Sequence, residues 1–246
     1  MHARGAMRTA VVWAVLRDAL TALAVDRGEA TLHVLDVGGG TGGFAVPLAE
    51  LGHRVTVVDP SPDSLAALER RAAEAGIAGV VHAIQGDVAQ LPDVAAAESV
   101  DVVLCHSVLE VVDEPAAAVA AVGRVLRPGG LASVLAAGRG AAVVGRALAG
   151  HFDEAAHVLS DAQGRFGPTD ALARRFTEAE LVRLVVEAGM AVESVHAVRV
   201  FSDLVPGALL DDPAAGEALL ALEEAVAARP EFRALATQLH VLAVRP

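Results

Sequence analysis

The sequence predicts an α/β protein, a mostly parallel sheet with helices on both faces. Three observations predict it. From Leu32 onward, short β-branched runs alternate with longer helical patterns, the order that βαβ units require. A glycine run, Gly38-Gly39-Gly40-Thr41-Gly42-Gly43, follows the first buried strand, where a ligand can approach the backbone closely. Acidic residues, Asp36, Asp59 and Asp87, recur at the carboxyl ends of the first three strands, the side on which open α/β sheets bind ligands.

Taken in order, the pattern gives an amphipathic helix over 7–24, with Val11, Leu16, Leu20 and Leu23 available to one face. Strands follow at 32–37, 54–59, 80–85, 100–106 and 130–137, with helices at 43–51, 64–75 and 115–126 between them. Arg127-Pro128-Gly129-Gly130 closes the last of these helices, because proline cannot continue it and glycine supplies a turn. Segment 138–177 is rich in Gly, Arg and Ala without a clean period and reads as a cap or substrate-facing insertion. A helix at 178–188, a strand at 192–200, a helix at 214–228 and a strand at 235–244 complete the chain. The two late strands suit an antiparallel hairpin at the sheet edge. With no repeat or linker, 1–246 reads as one domain.

Composition narrows the class. The chain is 54% hydrophobic, enough to fill a large core, but no run approaches the roughly 20 apolar residues of a membrane span. The basic start Met1 to Arg8 ahead of an apolar stretch invites a secretory reading, which Arg17 and Asp18 interrupt. A single cysteine, Cys105, excludes an intramolecular disulfide and a multi-cysteine zinc site, and fits a reducing cytoplasm. No histidine spacing suggests a metal. The formal net charge of −12, with every base an arginine, repels polyanions on average.

The glycine run satisfies two patterns. Gly38, Gly40 and Gly43 fit the dinucleotide fingerprint, while Asp36, Gly38, Gly40 and Gly42 fit the D-x-G-x-G-x-G of S-adenosylmethionine-dependent methyltransferases. Asp59 stands where a carboxylate accepts from both hydroxyls of a ribose. Asp87 stands where it can accept from an adenine amine, or cap the next helix. Three carboxylates suit a cationic sulfonium better than a pyrophosphate.

With these residues the chain resembles the class I methyltransferases over about 32–137, and Leu126-Arg127-Pro128-Gly129-Gly130 is similar to that family's turn before the fifth strand. It resembles more closely the tRNA 5-carboxymethoxyuridine methyltransferase group. Met7 to Trp13, Asp36 to Gly40, His106 to Glu110, Gly150 to Asp153, Val198 to Asp203 and His240-Val241 carry that likeness. The resemblance implies a Rossmann-like, seven-stranded sheet with an antiparallel edge strand, and S-adenosylmethionine as cofactor. It also implies that Arg8 pairs with the cofactor's carboxylate, that Gly38 and Gly39 line the cofactor, that Asp59 holds the ribose and that His106 sits nearby. Arg8 also reads as a solvated helix residue, and His106 as a hydrogen-bonded residue at a strand end.

The implied reaction is methylation of a carboxylate or other oxygen, with tRNA as one acceptor and a small metabolite as the other. Arg199 is the candidate for orienting an anionic acceptor, or else a salt-bridged strand residue. An anionic carboxylate needs no general base, and no catalytic acid or base is assigned. One departure bears on the acceptor: 158–169 contains only Arg165, whereas the RNA-modifying group has a strongly basic stretch there. A nicotinamide-dependent oxidoreductase and a non-catalytic cofactor binder remain the other readings of the glycine turn.

Overall fold

The computed structural model describes residues 2–246, with side chains from residue 8 onward, so most of the basic start weighed above lies outside the described side chains. Seven strands form one sheet in the order β3-β2-β1-β4-β5-β7-β6. These are β1 His33–Val37, β2 Arg54–Asp59, β3 Val81–Gln85, β4 Val100–His106, β5 Leu126–Ala137, β6 Ala191–Val198 and β7 Gln238–Val244. Six of the seven share one direction, so that the pairing of β7 with β6 at the edge is antiparallel, as expected for a Rossmann-like methyltransferase sheet. The register is explicit at the centre, where Asp36 lies opposite Val57 on β2 and Leu104 on β4.

The helices are α1 His2–Arg27, α2 Ala45–Glu50, α3 Pro62–Glu74, α4 Leu91–Val94, α5 Pro115–Val125, α6 Arg139–Leu148, α7 Phe152–Ser160, α8 Glu178–Glu187, α9 Pro213–Ala227 and α10 Pro230–Arg233. Among the described residues no helix is long and apolar enough to cross a membrane. Segment 138–177 and the turn at 127–130 differ from expectation. Segment 138–177 contains two helices, α6 and α7, where no period was apparent. The turn expected at 127–130 is the start of β5, because Gly129 donates to Arg245 O and Arg245 donates to Gly130 O, a reciprocal pair that extends the ladder.

The chain packs as two compact units. One comprises Asp18–Val134, Leu184–Glu193 and Leu242–Pro246. Its core is built on β1 and β4, whose residues Val34, Leu35, Val102, Val103 and Leu104 are fully buried, as strands covered on both faces must be. Asp101 pins the amino end of these strands: it is buried, accepts from the His33 amide at 2.8 Å and from Arg127 at 2.9 Å, and lies 3.3 Å from Arg27. α3 begins cleanly because Ser61 caps the Ser64 amide and Pro62 occupies the first turn.

The other unit comprises Met1–Arg17, Leu135–Arg183 and Ser194–Val241. In it a turn after β6 is tightly held. Glu223 on α9 is buried, yet its carboxylate accepts from the amides of Val200, Phe201 and Ser202 at 2.8–2.9 Å and from the Ser202 hydroxyl at 2.6 Å. Four donors satisfy a charge that would otherwise be costly to bury. They also hold Arg199 at φ +61°, a conformation that side-chain-bearing residues rarely adopt.

Candidate functional site

The carboxyl ends of β1, β2 and β4 bring together most of the predicted residues. Gly38 and Gly40 adopt φ of +69° and +54°, which turns the chain sharply out of β1. Gly39 is required for a different reason. A methyl at its Cβ position would stand 2.6 Å from Asp36 Oδ2 and 2.9 Å from Val57 Cγ1. Gly39→Ala is therefore expected to cost about 1–3 kcal/mol, lowering Tm by roughly 2–10 °C. Thermal denaturation checks this, and an unchanged Tm would contradict it.

Asp59, at the end of β2, is buried and closes the turn. Its Oδ2 accepts the Gly40 amide at 2.9 Å and its Oδ1 accepts the Ser61 amide at 2.9 Å. Asp36 lies beneath the same turn, 2% exposed, and its Oδ2 has no hydrogen-bond partner among the described residues. Burial, and then the charge of Asp59, push its carboxyl up to about 7. His106 ends β4, with Nε2 2.8 Å from Ser133 Oγ and its ring edge-on to Phe44 at 4.7 Å between centroids. Burial pushes its pKa down to about 3, so the imidazole is neutral at physiological pH.

One expectation changes in this region. The glycine turn runs on to Phe44, and α2 spans only Ala45–Glu50, not 43–51, because the turn bond from Gly42 N–H to Gly39 O and φ of +80° at Gly42 delay the helix. Asp87 is exposed and caps a short 3₁₀ turn, its Oδ1 accepting the Ala89 amide at 2.8 Å while Gln90 accepts the Asp87 amide at 3.0 Å. Arg8 stands in the other unit, exposed on α1.

Comparison with known proteins gives the family. Residues 35–134 match the family described as a methyltransferase domain. The tRNA 5-carboxymethoxyuridine methyltransferase of Escherichia coli O157:H7 is 30% identical over 99% of this chain and 90% of the relative. That of Escherichia coli K12 is 29% identical with the same coverage. The crystal structure of an S-adenosylmethionine-dependent methyltransferase from Mesorhizobium loti superposes with a TM-score of 0.63 at 20% identity, covering 97% of this chain and all of that one. The chain belongs to the class I S-adenosylmethionine-dependent methyltransferases.

The residues of this methyltransferase fit its cofactor. A buried carboxylate oxygen without a donor, such as Asp36 Oδ2, is stabilised by a nearby cation, and S-adenosylmethionine carries two. Asp59 spends two of about four lone-pair positions on the turn, so two remain for hydroxyl donors.

The methyltransferase also has a cavity of about 490 Å³ in the unit that contains Arg199. Ala141, Arg146, Phe166, Arg175, Val200 and Phe201 are among its lining. Arg199 is ion-paired with Asp203 at 2.5 Å and also contacts Gln238. Neither Arg146 nor Phe166 was legible as a site residue, since both fall in the glycine-punctuated segment 138–177. Nor was Glu223, whose partners lie 21–23 residues away in the chain.

Proposed function

We propose that this methyltransferase esterifies an acceptor carboxylate, one acceptor of that class being 5-carboxymethoxyuridine of tRNA. The likeness to tRNA 5-carboxymethoxyuridine methyltransferases over 90% of their length carries this reading. When bound, S-adenosylmethionine supplies the methyl group from its sulfonium. In this reading the Gly38–Gly40 turn and Asp59 hold the adenosine, Asp36 balances the cofactor's positive charge, Asp87 meets the adenine amine with the oxygen its cap does not use, and neutral His106 packs beside the turn. The carboxylate oxygen is already anionic at neutral pH, so no side chain has to remove a proton. The enzyme's work is alignment and exclusion of water. We place the activity in the cytoplasm.

For a tRNA acceptor, Arg199 is proposed to orient the anion. Arg199→Ala is expected to spare cofactor affinity and to reduce turnover by about tenfold or more. Equal turnover in the variant removes Arg199 from the site.

A second reading, a small-molecule acceptor, is favoured by the pairing of cations. Arg139, Arg146, Arg165, Arg175, Arg199 and Arg233 each have a carboxylate partner. Phosphate backbones bind through cations available to neutralise them. Incubation with labelled S-adenosylmethionine and either bulk tRNA or a small-molecule extract, followed by mass analysis, separates the two. Label in a tRNA nucleoside supports the first, label confined to small molecules the second.

A further inference from the structure

We infer that the cavity beside Phe166 seats the acceptor and that Arg146 receives its carboxylate, the acceptor class being a compact apolar monocarboxylic acid. That assignment rests on the carboxylate-methylating reading above and narrows its acceptor to the second of the two.

The cavity has the size of a small-molecule site, about 490 Å³ against the roughly 300–1,000 Å³ of such pockets. Its walls are mostly alkyl and aryl: Ala141, Ala142, Leu172, Val200, Phe201 and Leu204 contribute. An acceptor buried there is apolar over most of its surface, since walls of this kind leave a polar body without hydrogen bonds.

Two arginines line the cavity, and their states differ. Arg175 is committed to the fold. It holds Asp170 through two hydrogen bonds of 2.5 and 3.0 Å, donates to Gly164 O, and is 11% exposed against 1% for its partner. Asp170 in turn accepts the amides of Phe166 and Leu172. Removing that arginine from its carboxylate would leave a buried, uncompensated charge. Arg199, next to the lining residue Val200, is held by Asp203 and Gln238.

Arg146 is poised for exchange. Its side chain makes one hydrogen bond among the described residues, Nη1 to Glu154 Oε2 at 2.9 Å, in a pair whose members are 34% and 35% exposed. A pair this exposed adds little to stability, and the remaining guanidinium N–H groups are donors for a second carboxylate. Its position is nevertheless restricted, because the guanidinium carbon lies over the Phe166 ring, 3.5 Å from the ring centroid. A planar fork preset in this way matches a carboxylate bidentately at little entropic cost. A ligand carboxylate that takes Arg146 returns Glu154 to water, from which it is only partly withdrawn. One acid group can be accommodated by this exchange. A polyanion would require several, and the other lining arginine is locked.

Calorimetric titration of the full chain with phenoxyacetate, with and without saturating S-adenosylhomocysteine, tests the assignment. Phenoxyacetate is expected to bind, and its neutral methyl ester to bind about tenfold more weakly or worse. Arg146→Gln is expected to lower phenoxyacetate affinity by about tenfold with Tm and S-adenosylhomocysteine affinity unchanged. Glu154→Gln removes the competing carboxylate and is expected to raise the affinity, an effect that a purely structural ion pair would not produce. No binding of phenoxyacetate, equal binding of acid and ester, equal affinity in Arg146→Gln, or no gain in Glu154→Gln overturns the assignment. Failure of S-adenosylhomocysteine to bind the wild-type chain would instead strike the cofactor reading, and its separate titration distinguishes the two failures.

Discussion

Replacing Asp59 with alanine is expected to weaken S-adenosylmethionine binding by at least about tenfold, roughly 1.4 kcal/mol, and to do so by two routes. The first is loss of the charged acceptor proposed for the ribose hydroxyls, each charge-assisted bond being among the stronger hydrogen bonds a protein makes. The second is loss of the turn's own support, because Asp59 accepts the amides of Gly40 and Ser61 at 2.9 Å each. Without it the Gly40 amide, which sits in the turn that contacts the cofactor in the proposed site, loses the carboxylate that accepts it. Asp59→Asn separates the routes in part. One amide oxygen can replace one carboxylate oxygen, but the amide nitrogen cannot accept, so either Gly40 or Ser61 remains unsatisfied. Affinity is expected to fall in the order wild type, Asn, Ala. Calorimetry with equal affinities for wild type and Ala would remove Asp59 from the site.

The sequence was most informative where one residue's chemistry is decided by its chain neighbours. Strands β1, β2 and β4 were legible because a parallel strand buried on both faces is a nearly continuous apolar run, as Val102 to Cys105 is after Asp101. Gly38 to Gly40 was legible because only glycine tolerates that turn. Where a property depends on distant residues, little could be read. α6 and α7 went unseen because they are short, 10 and 9 residues, and because Gly138, Gly140, Gly145 and Gly150 punctuate the stretch as a loop would. The role of Glu223 depends on a turn more than 20 residues upstream. Arg199 was recognised as a cation, but its positive φ and its bond to Asp203 come from the packing of that turn. Asp36 belongs to both categories: its position in the motif was visible, whereas its lack of a partner was not.

That missing partner predicts a pH dependence. In the folded chain the Asp36 carboxyl is pushed up to about 7 by burial and by the charge of Asp59, against an ordinary value near 4. Between these values the folded chain binds a proton that the unfolded chain has released, so stability falls as pH rises from about 4 through about 7 and levels off above. Asp36→Asn removes that slope, which melts across the pH range will read. Cofactor binding has the opposite sign. A sulfonium beside Asp36 favours its ionised form, so below pH about 7 binding must first release the proton, and affinity for S-adenosylmethionine is expected to rise by up to about tenfold per pH unit on approaching 7 from below. The ligand's amino group titrates near pH 8, but it does so equally in Asp36→Asn, so the difference between the two profiles isolates the carboxylate. S-adenosylhomocysteine, which lacks the sulfonium charge, is expected to show a shallower rise. Asp59→Ala, by removing the second cause of the upward shift, is expected to move the Asp36 step to lower pH. Parallel affinity profiles for wild type and Asp36→Asn from pH 5 to 8 would show that this buried oxygen does not meet the cofactor's positive charge.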